Sequence, residues 1–180
     1  MKAIILCGGK GTRLGKETEH HQKCMLDVGG KPFLHYLVKK LKKAKYRIVF
    51  VVGYHGHEVI DYFNASSRWT DCMYYFSDKG QVGAINEWHR LSGEQVLFVN
   101  GDTIISGAPV KNHTLLREED KGLYRSAGRY YPYRVDEPFN NMNEVIVNSR
   151  KLSIISGYEM IEIGTPEGLQ YARNHKELLC

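Results

Sequence analysis

Long apolar runs are missing from this chain of 180 residues, and none approaches the roughly 18 residues that a membrane-spanning helix needs. The first apolar run, Ala3–Leu6, is also too short for the hydrophobic core of a secretory signal peptide. A content of 42% hydrophobic and 25% charged residues is typical of a soluble globular domain. We therefore expect a cytoplasmic protein with no membrane partner.

Cysteine is scarce, with four residues and no C-x-x-C pair: Cys7, Cys24, Cys72 and Cys180. This spacing gives no disulfide framework and none of the common zinc patterns. We therefore expect reduced thiols. Cys7, at the end of the first apolar run, is expected to pack as a small hydrophobe.

Acidic residues are fewer than basic ones, which gives a formal net charge of +5, and much of the excess lies in residues 39–47. A basic run of this kind can bind nucleic acid. Only Tyr46 is available there for stacking on bases, so the solvated face of a helix is the favoured interpretation. We expect no nucleic-acid partner, and a nucleic-acid binder stays the most distant alternative.

Alternating apolar and amphipathic segments predict an α/β fold with a mostly parallel sheet. There is no internal repeat, linker or low-complexity segment. In the second half, residues 122–130 and 143–163 are rich in Tyr, Ile and Val and predict short strands. The predicted strands of the first half are 2–6, 47–52, 72–76 and 95–99, and the predicted helices are 32–44, 57–63, a segment around 84–91, and 166–178 with Thr165 as its N-cap.

The first predicted strand ends in glycines, which remove the Cβ atoms that keep backbone N–H groups away from phosphate oxygens. Arg13 follows and can bind those oxygens with a forked, charge-assisted contact. A P-loop is excluded because Gly15-Lys16 is followed by Glu17, and a dinucleotide fingerprint is excluded because Leu14 stands where the third glycine belongs. By itself, a glycine turn of this kind is a weak signal.

A second polar motif, Asn100-Gly101-Asp102, follows the predicted strand 95–99. The carboxyl ends of parallel strands meet at one edge of a sheet, and ligands bind there. We therefore expect this motif and the glycine loop to lie at the same edge.

The ordered set of motifs resembles that of the sugar-1-phosphate nucleotidyltransferases. The amino-acid sequences of the motifs are most similar to those of heptose-1-phosphate guanylyltransferases and glucose-1-phosphate cytidylyltransferases. The family pattern is G-G-x-G-T-R-L, P-K-x-M and G-K-P, a glycine-containing end of the second strand, a second glycine segment, N-G-D and I-D-I-G-T-P-E. The matching segments here are Leu6–Leu14, Gln22–Met25, Gly30–Pro32, Val52–Tyr54, Gly80–Ile85, Asn100–Asp102 and Ile161–Glu167.

The resemblance implies a Rossmann-like three-layer nucleotidyltransferase fold in one domain, 1–180. Residues 1–105 would form the nucleotide-binding half, and residues 106–180 the half that binds the acceptor and the second metal ligand. The implied reaction joins an NTP, with CTP or GTP favoured, to a sugar 1-phosphate and releases pyrophosphate. The NDP-sugar would serve capsule or polysaccharide synthesis, and a homo-oligomer is possible.

The resemblance also implies roles for individual residues. Arg13 and Lys23 would be catalytic: Arg13 would hold the leaving phosphates, and Lys23 would stabilise charge between the α-phosphate and the acceptor phosphate. Asp102 and Glu162 would hold Mg²⁺. The nucleotide would contact Leu6, Gly8, Gly9, Gly11, Thr12, Arg13, Gln81, Gly83 and Asn100.

Three departures from the family pattern keep alternatives open. Gln22 replaces the proline of P-K-x-M, which frees the backbone and is expected to soften the loop before Lys23. Glu162 replaces the second aspartate, and the interval between Asp102 and Glu162 is short, with Glu137-Pro138 as a remnant of the acceptor-binding E-K-P. The alternatives are transfer to a small non-sugar phosphate and a nucleotide-binding subunit without turnover.

Two further groups invite a functional interpretation. His20-His21 and His55-x-His57 lack a cysteine or carboxylate set at ligand spacing, so loop or surface histidines are favoured over a metal site. The tyrosines of the second half are interpreted as strand packing in preference to an acceptor pocket: Tyr124, Tyr130, Tyr131 and Tyr133. Three arginines in the same region could replace the missing acceptor-binding lysine: Arg125, Arg129 and Arg134.

Overall fold

The computed structural model of the protein describes residues 1–92, 96–106, 114–118, 123–126, 129–130, 138–147, 153–155 and 159–179. The strands are β1 Lys2–Cys7, β2 Arg47–Val52, β3 Met73–Phe76, β4 Leu97–Asn100, β5 Thr103–Ser106, β6 Thr114–Glu118, β7 Leu123–Ser126, β8 Arg129–Tyr130, β9 Ser153–Ile155 and β10 Glu159–Glu162. The helices are α1 Phe33–Lys43, α2 Gly56–Asn64, α3 Gly80–Ser92, α4 Met142–Val147 and α5 Pro166–Asn174, with short 3-10 turns at Thr12–Thr18, Lys23–Met25, Ser67–Trp69 and Lys176–Leu179.

The main sheet has the order β3-β2-β1-β4-β8, in which the first four strands are parallel and β8 is antiparallel to β4. This confirms the predicted α/β class. Along β1, Ile5 packs into one core and Ile4 packs into the other, on the opposite face of the sheet. Burial on both faces explains why β1 and β2 are continuous apolar runs instead of alternating ones.

Helices cover both faces and give the three predicted layers. The core on one face includes residues of α1, α2 and α5, and the core on the other face includes residues of α3 and α4. In α1, the predicted apolar face is buried, and the lysines lie at exposed or half-buried positions. In α3, Ala84 and Ile85 are buried as predicted, whereas Leu91 is 56% exposed.

The second half contains a two-stranded antiparallel pair, β10-β5, and a three-stranded sheet, β7-β6-β9. Four of the short strands fall within the predicted segments, but the strand prediction is wrong for residues 143–147, which belong to α4. Asn141 Oδ1 accepts from the Glu144 N–H at 3.0 Å, and the Glu144 carboxylate accepts from the Asn140 N–H at 2.7 Å. These reciprocal bonds cap the helix and outweigh the β propensity of the residues that follow.

The C-terminal helix begins as predicted, because Thr165 Oγ1 accepts from the Gly168 N–H at 3.2 Å and Pro166 opens the first turn. α5 ends at Asn174, and the 3-10 turn Lys176–Leu179 continues from it. Within the described ranges, no helix has the length and apolar content needed to cross a membrane.

Candidate active site

The strands of the parallel sheet end at one edge, and their loops are hydrogen-bonded to each other there. The Gly101 N–H donates to Leu6 O at 3.1 Å, and the Ser77 N–H donates to Val52 O at 3.0 Å. A Cβ added to Gly53 would lie 3.1 Å from the Gly8 Cα and from Ser77 O, so glycine permits this close approach. The two strand-end motifs therefore share the predicted edge.

A cavity of about 770 Å³ opens at this edge. Its volume is in the range of pockets that take a nucleotide-sized ligand. Six of the predicted site residues line it: Leu6, Gly8, Gly9, Lys23, Gln81 and Asp102. Other lining residues lie at or just after the ends of β2 and β3 and were not predicted: Tyr54, Phe76, Ser77 and Asp78. The signal that locates them is the one that located the glycine loop, namely position at the carboxyl end of a buried strand.

Gly11 takes the left-handed conformation, with a φ of 67°, at the turn between the glycine loop and the 3-10 turn. An added Cβ would lie 2.9 Å from the Thr18 Cγ2 and 3.1 Å from the Lys23 Cβ. Thr18 Oγ1 donates to Gly11 O at 3.0 Å. Glycine is therefore required for the Lys23 segment to pack against the loop.

Lys23 and Asp102 form the shielded ion pair of the site. Lys23 Nζ lies 2.5 Å from Asp102 Oδ2, and the two side chains are only 17% and 13% exposed. The other Asp102 oxygen, Oδ1, accepts from Thr103 Oγ1 at 3.0 Å. Because water screens this pair less than an exposed one, the attraction between the two side chains is strong enough to fix the lysine over the carboxylate.

Arg13, Asp102 and Glu162 converge around Gly164. β10 pairs with β5 so that Glu162 lies opposite Thr103, the residue after Asp102. A Cβ added to Gly164 would lie 2.8 Å from Glu162 Oε1, 3.0 Å from Arg13 Nη2 and 3.5 Å from Asp102 Oδ2. The arginine and the glutamate also form an ion pair of 3.8 Å. Two carboxylates beside one small residue supply the hard oxygen donors that Mg²⁺ takes, so this donor set fits a magnesium ion.

Gln22 does not soften the loop before Lys23, contrary to the expectation from the sequence. Its side chain is 1% exposed, and Nε2 donates to Cys7 O, to Tyr54 O at 3.2 Å and to Gly9 O at 3.3 Å. Its Oε1 accepts from the Cys24 N–H at 2.9 Å. One amide therefore joins the end of β1, the glycine loop and the loop after β2 to the Lys23 segment.

Cys7 and Cys24 pack beneath the site and are free thiols, as is Cys72 in the described part of the chain. Burial, together with the neighbouring Cys24 thiol, raises the pKa of Cys7 well above its usual value. The thiol is therefore neutral and acts as the predicted small hydrophobe.

Three other predicted site residues lie beside the cavity or away from it. Asn100 Oδ1 accepts from Gln81 Nε2 at 3.2 Å, so it contacts a residue that lines the cavity. Thr12 is exposed at the start of its 3-10 turn, and Gly83 faces Lys79, whose Cβ would lie 2.4 Å from an added Cβ. The residues considered for the acceptor side lie outside the described residues or in strands whose side chains are not described: Glu137, Tyr124, Tyr130, Tyr131, Tyr133, Arg125, Arg129 and Arg134.

Known proteins match more than half of the chain. GlmU from Methanococcus maripaludis is 36% identical over 107 residues, which cover 58% of this chain and 25% of that protein. D-glycero-alpha-D-manno-heptose 1-phosphate guanylyltransferase from Campylobacter jejuni is 35% identical over 106 residues, which cover 57% of this chain and 48% of that protein. The chain thus matches about a quarter to a half of the length of these relatives.

The fold as a whole is also found in a solved structure. CTP:phosphocholine cytidylyltransferase from Streptococcus pneumoniae matches with a TM-score of 0.66 and 19% identity, over 96% of this chain and 97% of that one. Residues 3–119, which are more than half of the chain, match the MobA-like NTP transferase domain. The chain therefore belongs to the MobA-like NTP transferase domain family.

Proposed function

We propose that the protein is a Mg²⁺-dependent nucleotidyltransferase that joins CTP or GTP to a sugar 1-phosphate and releases pyrophosphate. The observation that carries the proposal is the shielded contact between Lys23 Nζ and Asp102 Oδ2 inside the glycine-lined cavity. A cation and an acid held together at the end of β1 and β4 suit a reaction between two anionic phosphates. The product would supply an activated sugar for polysaccharide synthesis.

In the proposed reaction, an oxygen of the acceptor phosphate attacks the α-phosphorus of the NTP. The new P–O bond forms as the bond between the α-phosphorus and the bridging oxygen breaks, and pyrophosphate leaves. The acceptor is already an anion, so the protein needs no strong base and acts by positioning and by stabilising charge.

The residues divide these tasks by position. The backbone of Gly8–Thr12 would hold the triphosphate, Arg13 would bind the leaving phosphates, and Lys23 would neutralise charge between the α-phosphate and the acceptor. Asp102 and Glu162 would hold Mg²⁺, which supplies a Lewis acid for the phosphate oxygens when it is bound.

The nucleobase of the NTP would lie between α3 and β3. Gln81 presents an amide to the cavity and is hydrogen-bonded to Asn100, and Phe76 is a 67% exposed aromatic ring among the residues that line it. An exposed ring beside an amide offers a stacking surface and hydrogen-bonding groups for a nucleobase. We propose that the first half of the chain binds the donor and that residues 106–180 complete the acceptor side.

A small non-sugar phosphate is the second candidate acceptor. The interval between Asp102 and Glu162 is short for the family, and a reduced acceptor-binding region suits a small acceptor. Here, too, the acceptor oxygen attacks the α-phosphorus. The choice between the two acceptors therefore does not alter the tasks proposed for Lys23 and Asp102.

The test is a matrix of the four NTPs against hexose, heptose and alcohol phosphates, with Mg²⁺ and release of pyrophosphate as the readout. Turnover with a sugar 1-phosphate supports the proposal, and turnover only with alcohol phosphates supports the second acceptor. Nucleotide binding without pyrophosphate release from any pair would overturn the transferase proposal in favour of a binding subunit.

A further inference from the structure

A group of metal-ligating side chains stands at the start of α2, apart from the carboxylates around Gly164. One ligand atom from each of His55, His57 and Glu58 lies within 4.8 Å of the other two. His55 and Glu58 are half-buried, and His57 is exposed. The sequence favoured surface histidines at this place because the histidine pair came without a carboxylate set, but the first turn of α2 brings Glu58 beside both rings.

The local backbone explains this grouping. His55 precedes α2 with a φ of 48°, in the left-handed region, and the helix then places His57 and Glu58 in its first turn. The His55 and His57 rings lie 5.7 Å apart between centroids. The left-handed residue therefore turns its imidazole back toward the helix that it precedes.

Neighbouring groups hold the carboxylate and one of the rings in place. Glu58 Oε1 lies 3.2 Å from His21 Nδ1, and Glu58 Oε2 accepts from the Gln22 N–H at 3.2 Å. His55 Nε2 lies 3.3 Å from Glu19 O. Hydrogen bonds of this kind orient the ligands in known metal sites, where a ligating histidine commonly donates its second ring nitrogen to a carbonyl or carboxylate.

We propose that His55, His57 and Glu58 bind a divalent transition-metal ion of the Zn²⁺ class, with water completing the coordination. Two imidazoles and one carboxylate suit Zn²⁺, whereas Mg²⁺ takes oxygen donors and is directed to the carboxylate pair. Ligand atoms around a tetrahedral Zn²⁺ stand roughly 3.4 Å apart for bonds near 2.1 Å. Binding would require side-chain rotations that close the group from its spacing of up to 4.8 Å to that size.

The position gives the site a consequence beyond binding. Tyr54 Oη donates to Glu19 O at 2.7 Å, and Glu58 contacts His21 and Gln22, so the start of α2 already touches the segment that leads into Lys23. Fixing His55, His57 and Glu58 around one ion would hold that segment against α2. The site depends on neither the proposed reaction nor its substrates.

The experiment is calorimetric titration of the full chain with ZnCl₂ in buffer containing excess MgCl₂, repeated with CoCl₂ and read by visible absorption. We expect one Zn²⁺ per chain, a visible Co²⁺ band from nitrogen ligands, and an affinity at least tenfold weaker in His57→Gln. His20→Gln is the matched control, because His20 lies outside the group and its side chain is 80% exposed; it should bind Zn²⁺ as the wild type does.

Equal Zn²⁺ affinity in the wild type and His57→Gln overturns the proposal, as does a wild-type Kd weaker than about 100 μM. His57 is exposed, so its replacement should leave the core intact, and circular dichroism of the variant tests this. Glu58→Gln is the second variant and should also weaken binding. None of these readouts uses nucleotidyl transfer, so failure of the proposed function leaves the test valid.

Discussion

At the scale of single residues, the side chain of Gln22 fixes the loop before Lys23, at a position where the family pattern has a proline. Its φ of −69° is one that proline also adopts, so the backbone at this position does not exclude the family proline. What proline lacks is the amide that bonds to Cys7 O, Tyr54 O and the Cys24 N–H. Replacement by proline would therefore restore the family motif but remove the hydrogen bonds that join the Lys23 segment to the end of β1 and to the loop after β2.

We expect Gln22→Ala to lower the free energy of unfolding by about 2 kcal/mol, because it leaves several buried polar groups without their partner. Gln22→Pro should cost a similar amount, since it removes the same side-chain bonds and the N–H that donates to Glu58. Urea denaturation of both variants measures this. Wild-type stability in Gln22→Pro would contradict the structural role of the amide.

Lys23 is predicted to act in the reaction more than in folding. On the proposed function, Lys23→Met should reduce kcat about 100-fold, because a preorganised cation is lost at the reacting phosphates. Lys16→Met is the matched control, since Lys16 is exposed on the neighbouring 3-10 turn. Pyrophosphate release measures both variants, and equal losses in the two would contradict a specific role for Lys23.

At the scale of elements, α5 is seated on β10 through a glycine. A Cβ added to Gly168 would lie 2.0 Å from Glu162 O, a backbone atom that cannot rotate away. The first turn of α5, capped by Thr165, therefore lies directly against the strand that carries Glu162. Placement of this helix and position of the carboxylate are linked.

We expect Gly168→Ala to lower the free energy of unfolding by roughly 2 kcal/mol, because the helix must shift away from β10. Gln170→Ala, at an exposed position of the same helix, should change it by less than about 0.5 kcal/mol. Thermal and urea denaturation compare the two. If Gly168→Ala unfolds like Gln170→Ala, the close seating of α5 is wrong.

The elements also show which parts of the structure the sequence could predict. β1, β2 and α1 were predictable because burial on one or both faces leaves a periodic apolar pattern. The 3-10 turn Thr12–Thr18 and helix α4 were not, since Gly11 and Asn141 set them through a left-handed turn and a side-chain cap. Local chemistry of this kind is not visible in apolar periodicity.

The candidate site divides in the same way. The common edge of the glycine loop and Asp102 follows from parallel strands, so the sequence predicted it. The hydrogen bonds of Gln22 and the ion pair between Arg13 and Glu162 join segments that are far apart in the chain. Such contacts cannot be predicted from the spacing of residues in the sequence. The tasks proposed for these residues remain predictions that kinetics can test.

At the scale of the whole molecule, one histidine couples folding to pH. His35, on α1, is 6% exposed and contacts α2, where the Tyr62 hydroxyl lies 2.9 Å from its Nδ1. Burial, reinforced by the positive charges of Lys31 and Lys39, lowers the pKa of His35 below its ordinary value of 6.5. The folded protein therefore holds this imidazole neutral at a pH where the unfolded chain takes up a proton.

The contribution of His35 to the free energy of unfolding therefore falls as the pH is lowered. The unfolded state binds more protons than the folded state below pH 6.5, so the contribution of His35 is fully present above that pH and is lost as the pH falls from there toward the folded pKa. We expect His35→Gln, which keeps an acceptor for Tyr62, to lose stability less steeply between pH 7 and about pH 5. Urea denaturation across this range is the measurement, with His20→Gln as the control, and parallel curves for wild type and His35→Gln would contradict it.

The contact between Lys23 and Asp102 has a consequence for the order in which ligands arrive. While the cavity holds no substrate, the ammonium group serves as the internal counter-ion of the carboxylate, so a free divalent cation must compete with a tethered charge. A triphosphate offers Lys23 a new partner and at the same moment releases Asp102. On the proposed function, cation and nucleotide should therefore enter as one unit, and calorimetry should find that Mg²⁺ binds at this site far more tightly when the nucleotide is present.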